Sequence, residues 1–420
     1  MTSTCAATSV TAPSPASDRN SAVLTTLEAT HAIKSAMPVF GTESVSYNAA
    51  MGRVLRQSVH AERDQPPFDR VMMDGIAIRH TDFDAGQRKF PILSRQHAGD
   101  SVHALEAGQC IEIMTGASLP EGADCIVPVE RISVTDGAAE IETGYAVERR
   151  QHIHARGSDH NEGAQLLRPG TRIAPADVAI IASAGLTEVE VSRLPTIRVI
   201  STGNELVAPG ERIEAHQIRE SNGPAVIAML RKHGYSDCEH DHLVDDIEIL
   251  ERRIAQHLDE ADVLVLSGGV SMGKADFVPQ VLQTLGVKVA FHKISQRPGR
   301  PMWFGIGPKQ QAVFALPGNP VSTLVCCRHY VIPALANASG ASPGNPEFAA
   351  LAQDVAFRPK LTLFLPTRLV SNAAGTLLAL PVHTNTSGDF AALSGTDGFV
   401  ELALEDTFFE TGTTVPLHRW

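Results

Sequence analysis

Apolar positions first fall into a regular rhythm just beyond residue 20. Ala29, Ala32, Ile33, Ala36 and Met37 recur at i, i+3, i+4, i+7 and i+8, the spacing of one helix face. The pattern predicts an amphipathic helix from about Ser21, with Asp18 to Ser21 as its candidate caps. From about Ala77 to Ile141 the rhythm shortens to β-branched runs broken by Gly, Pro and Asp, which reads as mostly β. Pro169 to Leu186 is helical again at its centre. The opening helix and this later piece are therefore candidates for one domain interrupted by the β-rich stretch.

Between Pro195 and about Ala341 buried-type strands alternate with amphipathic helices. Ile197 to Ile200, Val263 to Leu266 and Ala312 to Leu316 are short apolar runs, each ending in a Gly-containing turn. Pro224 to His233 has proline in its first turn and Gly234 just past its end, and Ile247, Leu250, Ile254 and Leu258 form a second helical stripe. Right-handed crossovers would turn this order into a mainly parallel sheet covered on both faces, with ligands beyond the carboxyl ends of the strands. From about Pro346 to Trp420 long helical periods give way to Gly and Thr punctuation, as in a small β-barrel or sandwich.

Composition narrows the class. Net charge is −12 over 420 residues, with 35 Lys+Arg against 47 Asp+Glu, which argues against a general partner among nucleic acids or anionic membranes. No run approaches the roughly 18 apolar residues of a membrane span. The first twenty residues are small, polar and Pro-containing, without the apolar core of a secretory signal, so a disordered N-terminus is expected. Cys5, Cys110, Cys125, Cys238, Cys326 and Cys327 show no CxxC spacing, which favours a reducing cytoplasm over a disulfide framework or a zinc site.

The three apolar runs lead into Ser201-Thr202-Gly203-Asn204-Glu205, Ser267-Gly268-Gly269-Val270-Ser271-Met272-Gly273 and Leu316-Pro317-Gly318-Asn319-Pro320. Glycines there let backbone N–H groups approach an anion, and three such turns in one α/β unit would converge on one edge. Between the second and third lies Lys293 to Pro301, where Lys293, Arg297 and Arg300 surround a Pro-Gly turn suited to a phosphate-bearing ligand. Asp74, Glu205, Asp245, Asp246 and Asp276 are carboxylates that could share Mg²⁺ with such a ligand, although Asp245 and Asp246 also fit a plain helix N-terminus. His152/His154 and His240/His242 alternate as some metal ligands do, but no third ligand follows at a familiar spacing, so hydrogen-bonded histidines are expected. Walker A, HExxH and GxGxxG are all missing, and Cys326-Cys327 reads as buried core.

Together the motifs resemble the molybdopterin molybdenumtransferase family, MoeA and the related E domain of gephyrin, over nearly the whole chain from about Ser21. The resemblance rests on Pro67 to Arg70 leading into Met73 to Ala77, Ile113 to Ala117, Ala155 to Asp159, Ser201 to Leu206, Ser267 to Ser271 with Gly273 to Asp276, Lys293 to Pro301, and Leu316 to Pro320. It implies an α/β multidomain chain. Residues 21–62 and 160–194 form a mixed, interrupted domain I, and 63–159 a β-rich insertion, domain II. Residues 195–345 form domain III, a three-layer molybdopterin-binding α/β domain with a mostly parallel sheet, and 346–420 domain IV, a small C-terminal β-barrel.

The implied activity is Mg²⁺-dependent insertion of molybdate into adenylylated molybdopterin with release of AMP, by a cytoplasmic homodimer whose cleft is shared between subunits. The implied catalytic residues are Asp74, Thr115, Asp159, Glu205, Asp245 and Asp276, with Asp276, Glu205 and Asp245 as metal ligands. Substrate would be held by Ser267, Gly268, Gly269, Lys293, Arg297, Arg300, Pro317, Gly318, Asn319, Pro320 and Ser387. The chain departs from the family pattern at Asn204 (often Asp), His154 (commonly Arg), Pro366 (often basic, with Arg368 two positions on), and Arg297 and Arg300, where Lys is common. A gephyrin-type ligand-binding scaffold and a tungstate-specific homologue remain open as alternatives.

Overall fold

The computed structural model describes residues 23–270 and 277–420. The N-terminus expected to be disordered, and Ser271, Met272, Gly273 and Asp276, lie outside the described residues. The described chain divides into two compact units, one drawn from 23–43, Gly52–Arg56 and the described residues of Glu190–Trp420, the other from Ser44–Met51 and Gln57–Val189.

In the first unit, helix α1 (Thr26–Ala36) buries Ala29 and Ile33, with Met37 just beyond. Its cap is Thr25, which corrects the expectation of a cap within Asp18 to Ser21. Thr25 Oγ1 accepts from Glu28 N at 3.2 Å while Glu28 Oε2 accepts from Thr25 N at 2.8 Å. This reciprocal box needs an acid three residues past the cap, and none of residues 18–21 has one.

The α/β region consists of β1 (Ile197–Thr202), α2 (Asn222–Lys232), β2 (Cys238–Leu243), α3 (Ile247–Glu260), β3 (Val263–Ser267), α4 (Val278–Thr284), β4 (Lys288–His292), β5 (Trp303–Ile306), β6 (Ala312–Leu316), α5 (Pro320–Cys326) and α6 (Ile332–Ala338). The six-stranded sheet runs β2-β1-β3-β6-β5-β4. Strands β2, β1, β3 and β6 are parallel, and β5 is antiparallel to both neighbours. An unbroken apolar strand such as β3 is stable only with both faces covered. Val263 and Val265 accordingly join a core with Val226 of α2 and Ala29 of α1, while Leu264 and Leu266 join another with Leu250, Ile254 and Leu258 of α3.

The last region is a closed barrel of β7 (Glu347–Leu351), β8 (Thr362–Ser371), β9 (Leu377–Pro381), β10 (Gly398–Leu402) and β11 (Thr414–Arg419). Pairings run β8-β9-β7-β11-β10 and return to β8. Closure removes the open edges that a small sheet would otherwise expose. Outside the ring, Gln296 and Arg297 pair in parallel with Thr362 and Leu363 of β8.

The second unit is centred on a six-stranded mixed sheet from Gly75–Ile78, Lys89–Gln96, Cys110–Ile113, Cys125–Pro128, Ile132–Thr135 and Ala138–Ile141. Strand alternation sends Ile76, Ile78 and Val127 to one core and Ala77, Ile111 and Ile126 to another. The later helix spans Pro175–Ser183. The described cysteines are all free and buried; burial pushes the Cys327 thiol up to about 12 and Cys326 higher still, so neither is a thiolate nucleophile. Among the described residues no helix is long and apolar enough to cross a membrane.

Candidate active site

Because β1, β3 and β6 are parallel neighbours, their carboxyl ends lie side by side. A cavity of about 860 Å³ opens there, walled by Thr202, Gly203, Gly268, Gly269, Pro317 and Gly318 among others. The turn after β3 requires glycine. Gly268 has φ +101°, and a Cβ on it would lie 2.6 Å from Thr202 O. Asn222, at the start of α2, ties two of the turns together, its Nδ2 donating to Ser267 Oγ at 2.9 Å and to Gly318 O at 2.7 Å. Thr202 Oγ1 is buried and has no hydrogen-bond partner among the described residues.

Among the described residues the ionisable side chains on this wall are Glu205, Glu220, Asp245 and Arg219. Asp245 is held by its backbone, whose N–H donates to Asn204 Oδ1 at 3.0 Å. The departure at Asn204 therefore retains an acceptor at that spot. Asp246 caps α3 by accepting from Ile249 N at 3.0 Å, which separates the roles of the adjacent pair. His240 Nε2 lies 2.7 Å from Glu220 Oε1 and 3.0 Å from Ser201 Oγ, and His242 Nε2 donates to Gly203 O at 2.8 Å. Burial, the largest influence, holds His240 below its ordinary 6.5. These histidines support the strand ends through hydrogen bonds.

Arg297 and Arg300 face an adjoining cavity of about 540 Å³, set between the Pro-Gly turn and the barrel. Its described lining contains no carboxylate, and it shares Pro301, Pro317 and Asn319 with the first cavity. Ser387 belongs to this wall and is fixed from both sides: Asn319 Nδ2 donates to its Oγ at 2.7 Å, and its carbonyl accepts from Val321 N at 3.0 Å. Pro366 also lines it. Lys293 lines neither cavity; its backbone, at φ +81°, turns the chain back so that its N–H donates to Met302 O at 2.9 Å.

In the second unit Asp74 Oδ1 accepts from Thr115 N and Thr115 Oγ1, each at 2.7 Å. Those bonds, the backbone one foremost, hold the Asp74 carboxyl below its ordinary 3.8. Asp159 pairs with His154 Nε2 at 3.0 Å, and Arg70 Nη2 lies 3.0 Å from His154 Nδ1. Arginine can only donate, so Nδ1 accepts and the ring proton sits on Nε2, facing Asp159. Asn222, Glu220 and Phe390, also on the cavity wall, fall in none of the sequence motifs. Glu220 carried a signal of sorts, an acid two residues before the helix start at Asn222.

Three family models cover the chain: the MoeA N-terminal region (domain I and II) at 24–185, the probable molybdopterin binding domain at 198–337, and the MoeA C-terminal region (domain IV) at 349–420. A molybdopterin molybdenumtransferase of Synechocystis sp. is 36% identical over 390 residues, spanning 92% of this chain and 97% of that protein. The chain belongs to the molybdopterin molybdenumtransferase family. A molybdopterin molybdenumtransferase of Staphylococcus epidermidis is 29% identical over 387 residues, 89% of this chain and 90% of its own. The molybdopterin biosynthesis MoeA protein of Pyrococcus horikoshii superposes with a TM-score of 0.80 at 25% identity, covering 95% of this chain and 100% of that one. The α/β-plus-barrel plan is thus the family's, and both cavities lie within it.

Proposed function

We propose that this chain is a molybdopterin molybdenumtransferase that inserts molybdate into adenylylated molybdopterin and releases AMP. One observation carries the reading: the glycine-turn cavity with its carboxylates and the arginine cavity are separate but share Pro301, Pro317 and Asn319. Two anionic reactants must meet despite their repulsion, and adjoining pockets of different chemistry meet that need.

Mg²⁺ fits the first cavity by donor type, since Glu205 and Asp245 offer hard carboxylate oxygens on its wall. These two, joined by Asp276, would hold the ion. When bound, Mg²⁺ supplies charge neutralisation at the phosphoanhydride. Backbone amides of the Gly268-Gly269 turn hold the phosphates, and Asn222 keeps that turn in register with Gly318. Arg297 and Arg300 attract and orient molybdate, with the Ser387 hydroxyl as a further polar contact. Asp74 and Thr115, bonded to each other, orient the pterin or a water, and Asp159 orients substrate with His154 at its side. We take the working form as a cytoplasmic homodimer; the exposed Phe68, Met72 and Met73 give it an apolar surface to bury.

The test is AMP release from adenylylated molybdopterin with Mg²⁺ and either molybdate or tungstate. Release well above a no-protein control is expected. Release no faster than the control would remove the enzyme reading, and a preference for tungstate would reassign the oxyanion. A sedimentation mass of a single chain would contradict the dimer.

A further inference from the structure

Away from both cavities, three metal-competent side chains converge where α5 and α6 meet the barrel. The turn between those helices, Cys327–Val331, is a wide π turn, and His329 sits at its middle. Such turns persist mainly where a side chain must be aimed, because their hydrogen bonding is inferior to that of an α-helix. Glu401 and His418 come from neighbouring barrel strands. His418 pairs with Phe399, and Glu401 lies two residues further along β10, on the same face. One ligand atom from each of His329, Glu401 and His418 falls within 4.8 Å of the others.

We propose that His329, Glu401 and His418 form a binding site for a divalent transition metal, Zn²⁺ by ligand type, which fastens the barrel to the π turn. Two imidazoles and a carboxylate suit Zn²⁺ and disfavour Mg²⁺, which takes oxygen donors. A tetrahedral ion with bonds of about 2.1 Å holds its donors about 3.4 Å apart. His418 Nε2 and Glu401 Oε2 are already 3.1 Å apart, so only His329 has to draw closer.

A second observation points to a ligand independently. Among the described residues His329 Nδ1, which is buried, has no hydrogen-bond partner, a state that leaves a strong polar group unsatisfied. Its ring is fixed by aromatic neighbours, with centroids 4.6 Å from Phe364 and 4.8 Å from His418. His329 also borders a cavity of about 280 Å³ with Thr30, Ile33, Tyr330 and Asn337, through which an ion or water could reach the turn.

The experiment uses the full chain, stripped with chelator and titrated with Zn²⁺ in millimolar Mg²⁺ so that carboxylate-only sites are filled. One Zn²⁺ per chain is expected, with a Zn²⁺-dependent rise in Tm and visible Co²⁺ bands of a histidine site. Glu401→Gln and His418→Gln should each weaken binding about tenfold or more and abolish the Tm response. His329→Gln is a third variant; because that ring is packed in the core, the two strand variants carry the test if it fails to fold. Less than half an equivalent of Zn²⁺ bound, or one equivalent bound equally well by wild type and both strand variants, overturns the proposal.

Discussion

The two cavities on either side of Pro301, Pro317 and Asn319 differ in charge and in construction. The larger is made by strand ends: β1, β3 and β6 deliver glycine turns, and its described wall carries Glu205, Glu220 and Asp245 against Arg219. The smaller is made by a loop pressed on a barrel, with Arg297 and Arg300 and no described carboxylate. A net charge of −12 describes neither. Parallel strands supply backbone amides and acids at a common edge, whereas cations have to be brought in on a loop and braced from outside the sheet.

The largest effect should come from the acidic side. Glu205→Gln and Asp245→Asn are each expected to lower kcat for AMP release by about 10³-fold while leaving molybdate affinity nearly unchanged. Equal losses of kcat and oxyanion affinity would mean that the two cavities are not functionally distinct. On the basic side Arg297→Ala and Arg300→Ala should raise the molybdate KM by about 10- to 100-fold with a smaller fall in kcat, as expected for a lost charge-assisted hydrogen bond.

Gly268→Ala tests the strand-end construction itself. A Cβ 2.6 Å from Thr202 O at φ +101° should destabilise the chain by about 2 kcal/mol or more, read as a lowered denaturant midpoint. Asn222→Ala should lower stability by about 1 kcal/mol and kcat by about tenfold, because two turns lose their shared tether. The smallest change is expected for Ser387→Ala, a few-fold rise in molybdate KM, since Asn319 can turn its amide to water.

The sheet was readable because its signals are local. Val263 to Leu266 is unbroken apolar sequence running into two glycines, and the fold places the turn where that pattern ends. The barrel was readable only as a class, since nothing in 346–420 reveals which strand returns to pair with β8. Site residues divide in the same way. Glu205 and the 316–320 turn sit within recognisable strand ends, whereas Asn222 and Thr202 matter through partners more than forty residues away. Lys293 lines neither cavity, and its positive φ is invisible in a string of side chains. The cap of α1 was misplaced for a smaller reason: Thr25 and Glu28 form a reciprocal box that outcompetes the polar residues before it.

Gln296 and Arg297, lying alongside Thr362 and Leu363, bear on how such proteins diversify. Exchanging the C-terminal barrel between two relatives would not be a neutral graft. It would replace the strand against which Gln296 and Arg297 pair, so residues 293–301 and the barrel have to travel together for that loop to keep its backing.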